Sequence, residues 1–373
     1  MGKCKIAKDE KVKIKYIGNF NDGTGWAKAA TYNALALDMA GYDVYCEELS
    51  YNQASVILEP YIENLINKKS DTYDVVVNHV LPTEYKYISG VRNVGFISLE
   101  TLTLSSVPWL KRIAMMDEIW VPNKASKYCL MDSGVDGNKV KVFNHTFNFY
   151  KTAQSDNGQR IDKLRGTFNF VFNGEFTKRK NVEALLFAFH NEFDYIEPVN
   201  LFIKTNKDAN LINDFCSAVK TRMKKTGKYK NEIIISSYID EISLLSILKD
   251  CHAFVMPSHG EAWCYPALEA MALGIPSIYT KGIGIEDFVI PNITGLPVDS
   301  KVSYCYGAND TFDDLYTSND EWLEINVKDL QEKMRYIFES AKDQKAYLDI
   351  RRLCQEQAKK FDFTNKDITK GLL

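Results

Sequence analysis

Two glutamates, Glu261 and Glu269, stand with seven residues between them in HGEAWCYPALEAMALGIPSI, residues 259–278. The rest of the stretch is mostly small or apolar. Two acids in such a setting can act as a general acid and base, as two contacts to one ligand, or as a helix cap plus an unrelated solvent-facing acid. Pro266 suits the first turn of a helix, Gly274 and Pro276 its end, and PSHGEAWCY the loop before it. A helix that starts at the mouth of a crevice offers free N–H groups and the positive end of its dipole to an anion. Glu261 would then lie beside that anion and Glu269 further along the same ligand. Spacing alone does not separate this arrangement from a helix cap.

Other residues carry weaker signals. Lys178, Arg179 and Lys180 form either an anion-binding cluster or a solvated basic turn. In NFNDGTGWAKAA (19–30), Gly23 and Gly25 let the backbone approach a ligand closely. The pattern is not the G-x-G-x-x-G of a dinucleotide loop, and a flexible loop explains it equally well. Glu100, in ISLETLTLSSVPWL (97–110), can act on a hydroxyl, pair with Arg112 or cap the next helix. His79 and His145 end expected strands and read by default as structural hydrogen bonders. Cys251, His252, His259 and Cys264 lack zinc spacing, so no metal site is expected.

These residues need elements to position them, and short β-rich runs alternate with helical patterns almost throughout. Strands are expected at 12–20, 42–49, 73–80, 94–100, 117–123 and 139–147, with helices at 25–41 and about 55–67. A polar stretch, 148–166, reads as a linker. Strands resume at 167–176, 199–206, 231–239, 251–258 and 275–282, with helices at 181–191, 208–225, 241–250 and 265–273. Two helices, 327–342 and 343–360, end the chain. This is the pattern of an α/β protein with parallel sheets, two doubly wound domains and a ligand cleft at the strands' carboxyl ends. The domains are expected at 1–150 and 167–345, joined by 151–166, with 346–373 crossing back to the first.

Length and composition agree with two domains. The chain has 373 residues, 45% hydrophobic and 25% charged, with a net charge of −3. That balance argues against duplex DNA or an anionic membrane as the principal partner, although a local basic cleft remains compatible with it. The eight cysteines are scattered without a CxxC pair, which suits reduced thiols and a cytoplasmic protein. The amino terminus has no apolar segment of a secretory signal. Gly2 lacks the myristoylation context because Ile6 stands where Ser or Thr is required. No apolar run approaches the roughly 20 residues that span a bilayer.

The segment PSHGEAWCYPALEAMALGIPSI, followed by GIGIEDFVIPNITGLPV (282–298), resembles the signature of the group 1 glycosyltransferases, the family 4 retaining sugar transferases. Ala262 and Cys264 replace two usual glycines. FNGEFTKRKNVEALLFAF (172–189) is similar to the segment that opens the family's second domain, with Glu175 where an arginine is usual. DEIWVPNKASKYCLMDSGVDGNKVKVF (117–143), EWLEINVKDLQEKMRYIF (321–338) and AKKFDF (358–363) extend the resemblance.

The resemblance implies a GT-B fold, with two facing Rossmann-like domains. It implies transfer of a sugar from a UDP- or GDP-sugar with retention, by front-face attack of the acceptor hydroxyl. Glu261 would contact the donor sugar and Glu269 the ribose. Backbone at Trp263, Cys264 and Tyr265 would touch the diphosphate, and Lys180 would stabilise it. Arg179 or Lys178 would substitute for the missing arginine. Tyr238, in SSYIDE (236–241), would lie in a segment offering backbone bonds to the base. Gly23 and Gly25 would lie over the phosphates, and Glu100 on the acceptor side. No cofactor or metal is implied. Acceptors in play are a glycan, a lipid-linked or small-molecule hydroxyl, or a hydroxymethylated base in viral DNA. A nucleotide-sugar epimerase, a phosphorylase and a catalytically weak nucleotide-sugar-binding protein remain alternatives.

Overall fold

A computed structural model describes residues 11–50, 58–225, 227–308 and 315–373. Gly2, Cys4 and the first residues of the helix expected from about 55 lie outside the described residues. The first half forms β1 (Lys13–Gly18), α1 (Gly25–Met39), β2 (Asp43–Glu48), α2 (Pro60–Asn67), β3 (Val75–His79) and β4 (Arg92–Phe96). Then come α3 (Val107–Met115), β5 (Glu118–Val121), α4 (Lys124–Asp132), β6 (Val140–Val142) and α5 (Phe149–Gln154). The six strands pair in parallel in the order β2-β1-β3-β4-β5-β6. Apolar runs such as VVV in β3 and IWV in β5 are buried throughout, as expected of strands covered on both faces.

The second half forms β7 (Phe168–Asn173), α6 (Val182–Glu192), β8 (Val199–Lys204), α7 (Ala209–Met223) and β9 (Ile233–Ile235). It continues through α8 (Glu241–Leu248), β10 (Ala253–Met256), α9 (Tyr265–Ala272), β11 (Ser277–Thr280) and β12 (Gly295–Val298). These strands also pair in parallel, in the order β12-β11-β10-β7-β8-β9. An antiparallel hairpin, β13 (Ser300–Tyr304) and β14 (Glu321–Ile325), precedes α10 (Val327–Ser340) and α11 (Gln344–Lys359).

Strand order decides where a ligand can sit. From β7 the chain builds outward through β8 and β9, then returns to β7's other side and builds through β10, β11 and β12. The loops after β7 and β10 therefore part to opposite faces and leave a crevice at the strands' carboxyl ends. In the first sheet the same reversal falls between β1 and β3.

Three features differ from the sequence reading. The linker opens with α5, capped by Asn148 and anchored by buried Phe149 and Thr152; its polarity hid it. The strand β12 and the β13–β14 hairpin were not expected. No residue of β13 is fully buried, so the strand leaves no apolar alternation to read. The last helix, α11, packs on the second domain, where Arg351 donates to the Leu273 carbonyl at 3.1 Å. The return to the first domain is made by residues 361–372. There Asp362 accepts the Phe149 N–H at 2.9 Å, and Lys141 donates to the Leu372 carbonyl at 2.7 Å.

Candidate functional site

The reversal between β7 and β10 brings two loops together. The loop after β7 carries Arg179 and Lys180, and the loop after β10 carries Glu261. Glu261 is 5% exposed and its Oε1 accepts from Lys180 Nζ at 2.7 Å and Arg179 Nη1 at 2.9 Å. Burial alone would raise its pKa, but the Lys180 and Arg179 charges hold it below the ordinary carboxylate range. Arg179 also donates to the Gly260 carbonyl at 2.7 Å, and its Nη2 lies 3.1 Å from Glu100 Oε1. Arg179, not the exposed Lys178, is thus the cation that joins Lys180 at the acid. Glu175 is exposed.

Glu261 does not cap α9. That helix starts at Cys264 with no side-chain cap bond, Pro266 in its first turn, and φ of +73° at Cys264. A non-glycine residue there carries strain of about 1–2 kcal/mol, so the cysteine occupies a position where glycine is more comfortable. Its thiol is buried and pushed up to about 12 by desolvation.

Glu269, 8% exposed, points into the space between the domains. It is paired there with Lys28 of α1, whose ammonium also contacts Glu241 Oε1 at 2.5 Å. Burial raises the Glu269 pKa, opposed by Lys28 and reinforced by Glu241. Burial works against the Lys28 charge, but Glu269 and Glu241 more than restore it. The second acid therefore faces a cation from the opposite domain. The loop with Gly23 and Gly25 lies over the same region: a Cβ on Gly25 would meet the Tyr265 ring at 4.0 Å.

Trp263 and Tyr265 fill the seam. The Trp263 ring packs 5.1 Å from Phe288 and 5.5 Å from Phe361. The Tyr265 hydroxyl donates to the Thr146 carbonyl at 2.9 Å, and its ring stacks on His145. Tyr238 precedes α8 with its side chain 87% exposed. His79 and His145 stack on each other 5.5 Å apart, and burial takes His79 down to about 3 and His145 well below its usual value. Both are neutral seam residues, and His79 Nδ1 lies 2.7 Å from the Tyr16 hydroxyl.

Glu100 neither pairs with Arg112 nor caps α3. Its carboxylate binds Arg179 and the Tyr316 hydroxyl, and the α3 cap is Ser106. The backbone there is tight, since a Cβ on Gly260 would lie 1.6 Å from the Glu100 carbonyl oxygen. Sequence reasoning missed Lys28, Tyr316 and Asn123, whose amide donates across the seam to the Ala262 carbonyl. Lys28 alone left a signal, three residues beyond Gly25 at the start of a crevice-facing helix.

Among the described residues, no group of three or more His, Cys, Asp or Glu side chains is placed to hold a metal ion. The seven described cysteines are buried and unpaired. Among the described residues, no helix is long and apolar enough to cross a membrane.

Residues 158–304 match the family of group 1 glycosyl transferases. The chain is 22% identical over 203 residues to an uncharacterised 41.2 kDa protein of the cps region of Klebsiella pneumoniae, covering 51% of each chain. It is 23% identical over 346 residues to sucrose synthase 4 of Oryza sativa subsp. japonica, covering 84% of this chain and 42% of that one. The chain thus spans about half the length of these curated relatives or less. Among solved structures, Anabaena Alr3699/HepE in complex with UDP-glucose superposes with a TM-score of 0.64 at 13% identity, covering 96% of this chain and 99% of that one. That likeness establishes the GT-B fold.

Proposed function

We propose that the chain, whose residues 158–304 match the group 1 glycosyltransferases, is a member of that family and moves a sugar from a nucleotide-sugar donor to an acceptor hydroxyl with retention of anomeric configuration. The observation that carries this reading is the arrangement at the second domain's crevice. Glu261, Lys180 and Arg179 form one cluster at the reversal of strand order, and Glu269 stands within the adjoining helix α9.

In this reading the donor lies across the start of α9. Glu269 accepts hydrogen bonds from the ribose hydroxyls, and Lys28 turns from it to the ligand's edge. The diphosphate takes the uncapped helix start together with Lys180 and Arg179. Glu261 accepts from hydroxyls of the transferred sugar and fixes the ring. Charge-assisted bonds of this kind contribute about 1.5–3 kcal/mol each.

Transfer then runs on one face of the sugar. The bond between the anomeric carbon and the diphosphate oxygen breaks, and the acceptor oxygen bonds to the same carbon from the same side. The acceptor's proton passes to the departing phosphate oxygen. Lys180 and Arg179 meet the negative charge that grows on that phosphate, a contribution of about 3 kcal/mol for a well-placed group. Glu261 holds the sugar and does not attack it. Glu100, bound to Arg179, faces the acceptor side and accepts from the attacking hydroxyl.

UDP-glucose, bound by the Anabaena neighbour, is the first donor to try. Incubation with UDP-, GDP- and ADP-sugars, followed by mass spectrometry, tests the proposal. Release of free nucleotide and sugar is expected from one donor class even without acceptor. An isomerised donor would identify an epimerase instead, and a sugar phosphate a phosphorylase. Binding without turnover would mark a catalytically weak binding protein.

A further inference from the structure

The second domain reaches the first domain's Glu100 through the β13–β14 hairpin. The family match ends at residue 304, so β14 and the connection before it lie outside the shared region. The described end of that connection lands on loop 100–106. Asp320, 1% exposed, accepts the Ser105 N–H at 2.7 Å and the N–H of its own neighbour Thr317 at 2.9 Å. The Leu102 N–H donates to the Glu321 carbonyl at 2.7 Å, and the Glu321 N–H donates to Thr103 Oγ1 at 2.9 Å. The Tyr316 hydroxyl donates to Glu100 Oε2. Tyr316 does so from a left-handed backbone, φ +55°, which costs a bulky residue about 1–2 kcal/mol and persists where surrounding contacts over-determine it.

One chain of contacts therefore runs Tyr316–Glu100–Arg179–Glu261–Lys180, from the hairpin through the first domain and back to the proposed donor cluster. Two to three residues beyond Glu100, the same loop walls a cavity of about 610 Å3 between the domains. Thr103, Tyr128, Asp132, Glu286, Asp287 and Glu321 line it. Among the described residues, none of these four carboxylates forms an ion pair, and Lys124 is the one basic residue in the lining. Carboxylates so placed accept hydrogen bonds from hydroxyl or amine groups and repel phosphate.

We propose that the hairpin is an acceptor-recognition element. Tyr316 is a positioning residue that orients Glu100 toward the attacking hydroxyl. The cavity closed by the hairpin takes a saccharide acceptor that carries no phosphate. The inference rests on the sugar-transfer reading and selects among its acceptors, favouring a free glycan over a lipid pyrophosphate or DNA.

Transfer and donor hydrolysis are measured side by side for the wild type, Tyr316→Phe and Asp132→Lys. Acceptors are neutral mono- and disaccharides and their 6-phosphates. The wild type is expected to favour the neutral sugars by at least about tenfold in kcat/KM, and Asp132→Lys to narrow that preference. Tyr316→Phe is expected to lower the ratio of transfer to hydrolysis about tenfold, the loss of one charge-assisted hydrogen bond. Preference for the phosphorylated sugars, or equal losses of transfer and hydrolysis in Tyr316→Phe, would overturn the inference while leaving sugar transfer intact. A wild type that neither binds nor hydrolyses any nucleotide sugar would overturn the transfer reading and this one with it.

Discussion

Replacing Glu261 with glutamine separates holding a donor from turning it over. The substitution keeps the side chain's shape and one hydrogen-bond acceptor but removes the charge. Its Oε1 is 2.7 Å from Lys180 Nζ and 2.9 Å from Arg179 Nη1, so both cations lose their nearest anion. Arg179 keeps Glu100 and the Gly260 carbonyl, both cations still meet the diphosphate, and donor affinity is expected to change by less than about threefold. At the sugar, two charge-assisted bonds that tighten as positive charge grows on the ring in the transition state become neutral ones, so the loss falls on kcat rather than on donor affinity. A loss of about 3 kcal/mol there corresponds to roughly a 100-fold fall in kcat. Loss of the two charged contacts at Glu261 is also expected to cost about 1–3 kcal/mol of stability, so folding is checked by thermal melting first. Single-turnover rates with saturating donor, set beside calorimetric donor affinity, give the two numbers. Unchanged turnover would refute the assignment, and so would a fall in affinity as large as the fall in rate.

Glu269→Ala is expected to weaken nucleotide binding about tenfold or more, with a smaller effect on kcat at saturating donor, measured by calorimetry with the free nucleotide. Gly260→Ala places a methyl group in the Glu100 carbonyl, so the domains cannot meet there. It should lower turnover at least about tenfold and increase the radius of gyration in solution scattering, with each domain still folded. Stability should fall as pH drops below about 6.5. His79 and His252 have folded pKa values lowered by burial to about 3 and about 4, so the unfolded chain takes up protons first. Each such group removes about 1.4 kcal/mol per pH unit from 6.5 down to its folded value. Glu261, also lowered, adds to the loss at acid pH, and Glu269, raised, opposes it. Chemical denaturation at pH 7 and pH 5 checks the sign, and greater stability at pH 5 would contradict it.

The parallel sheets and their helices were legible because buried strands leave continuous apolar runs. VVV at 75–77 and FVM at 254–256 cannot be mistaken for solvated loops. Pro266 and Gly274 likewise mark α9, and the two glutamates follow from its position. What escaped lies in contacts between distant segments. Lys28 meets Glu269 across 241 residues, and Tyr316 meets Glu100 across 216, and neither separation leaves a local pattern. The β13 strand faces solvent and leaves no alternation, and Glu100 had two plausible nearby partners but took two remote ones.

Proton NMR of the anomeric proton in the new glycosidic bond of the product tests the central account most directly. With a donor of known anomeric configuration, the account predicts the same configuration in the new bond and free nucleoside diphosphate in equal amount. An inverted product, or a donor returned as its epimer with no acceptor glycosylated, would contradict it.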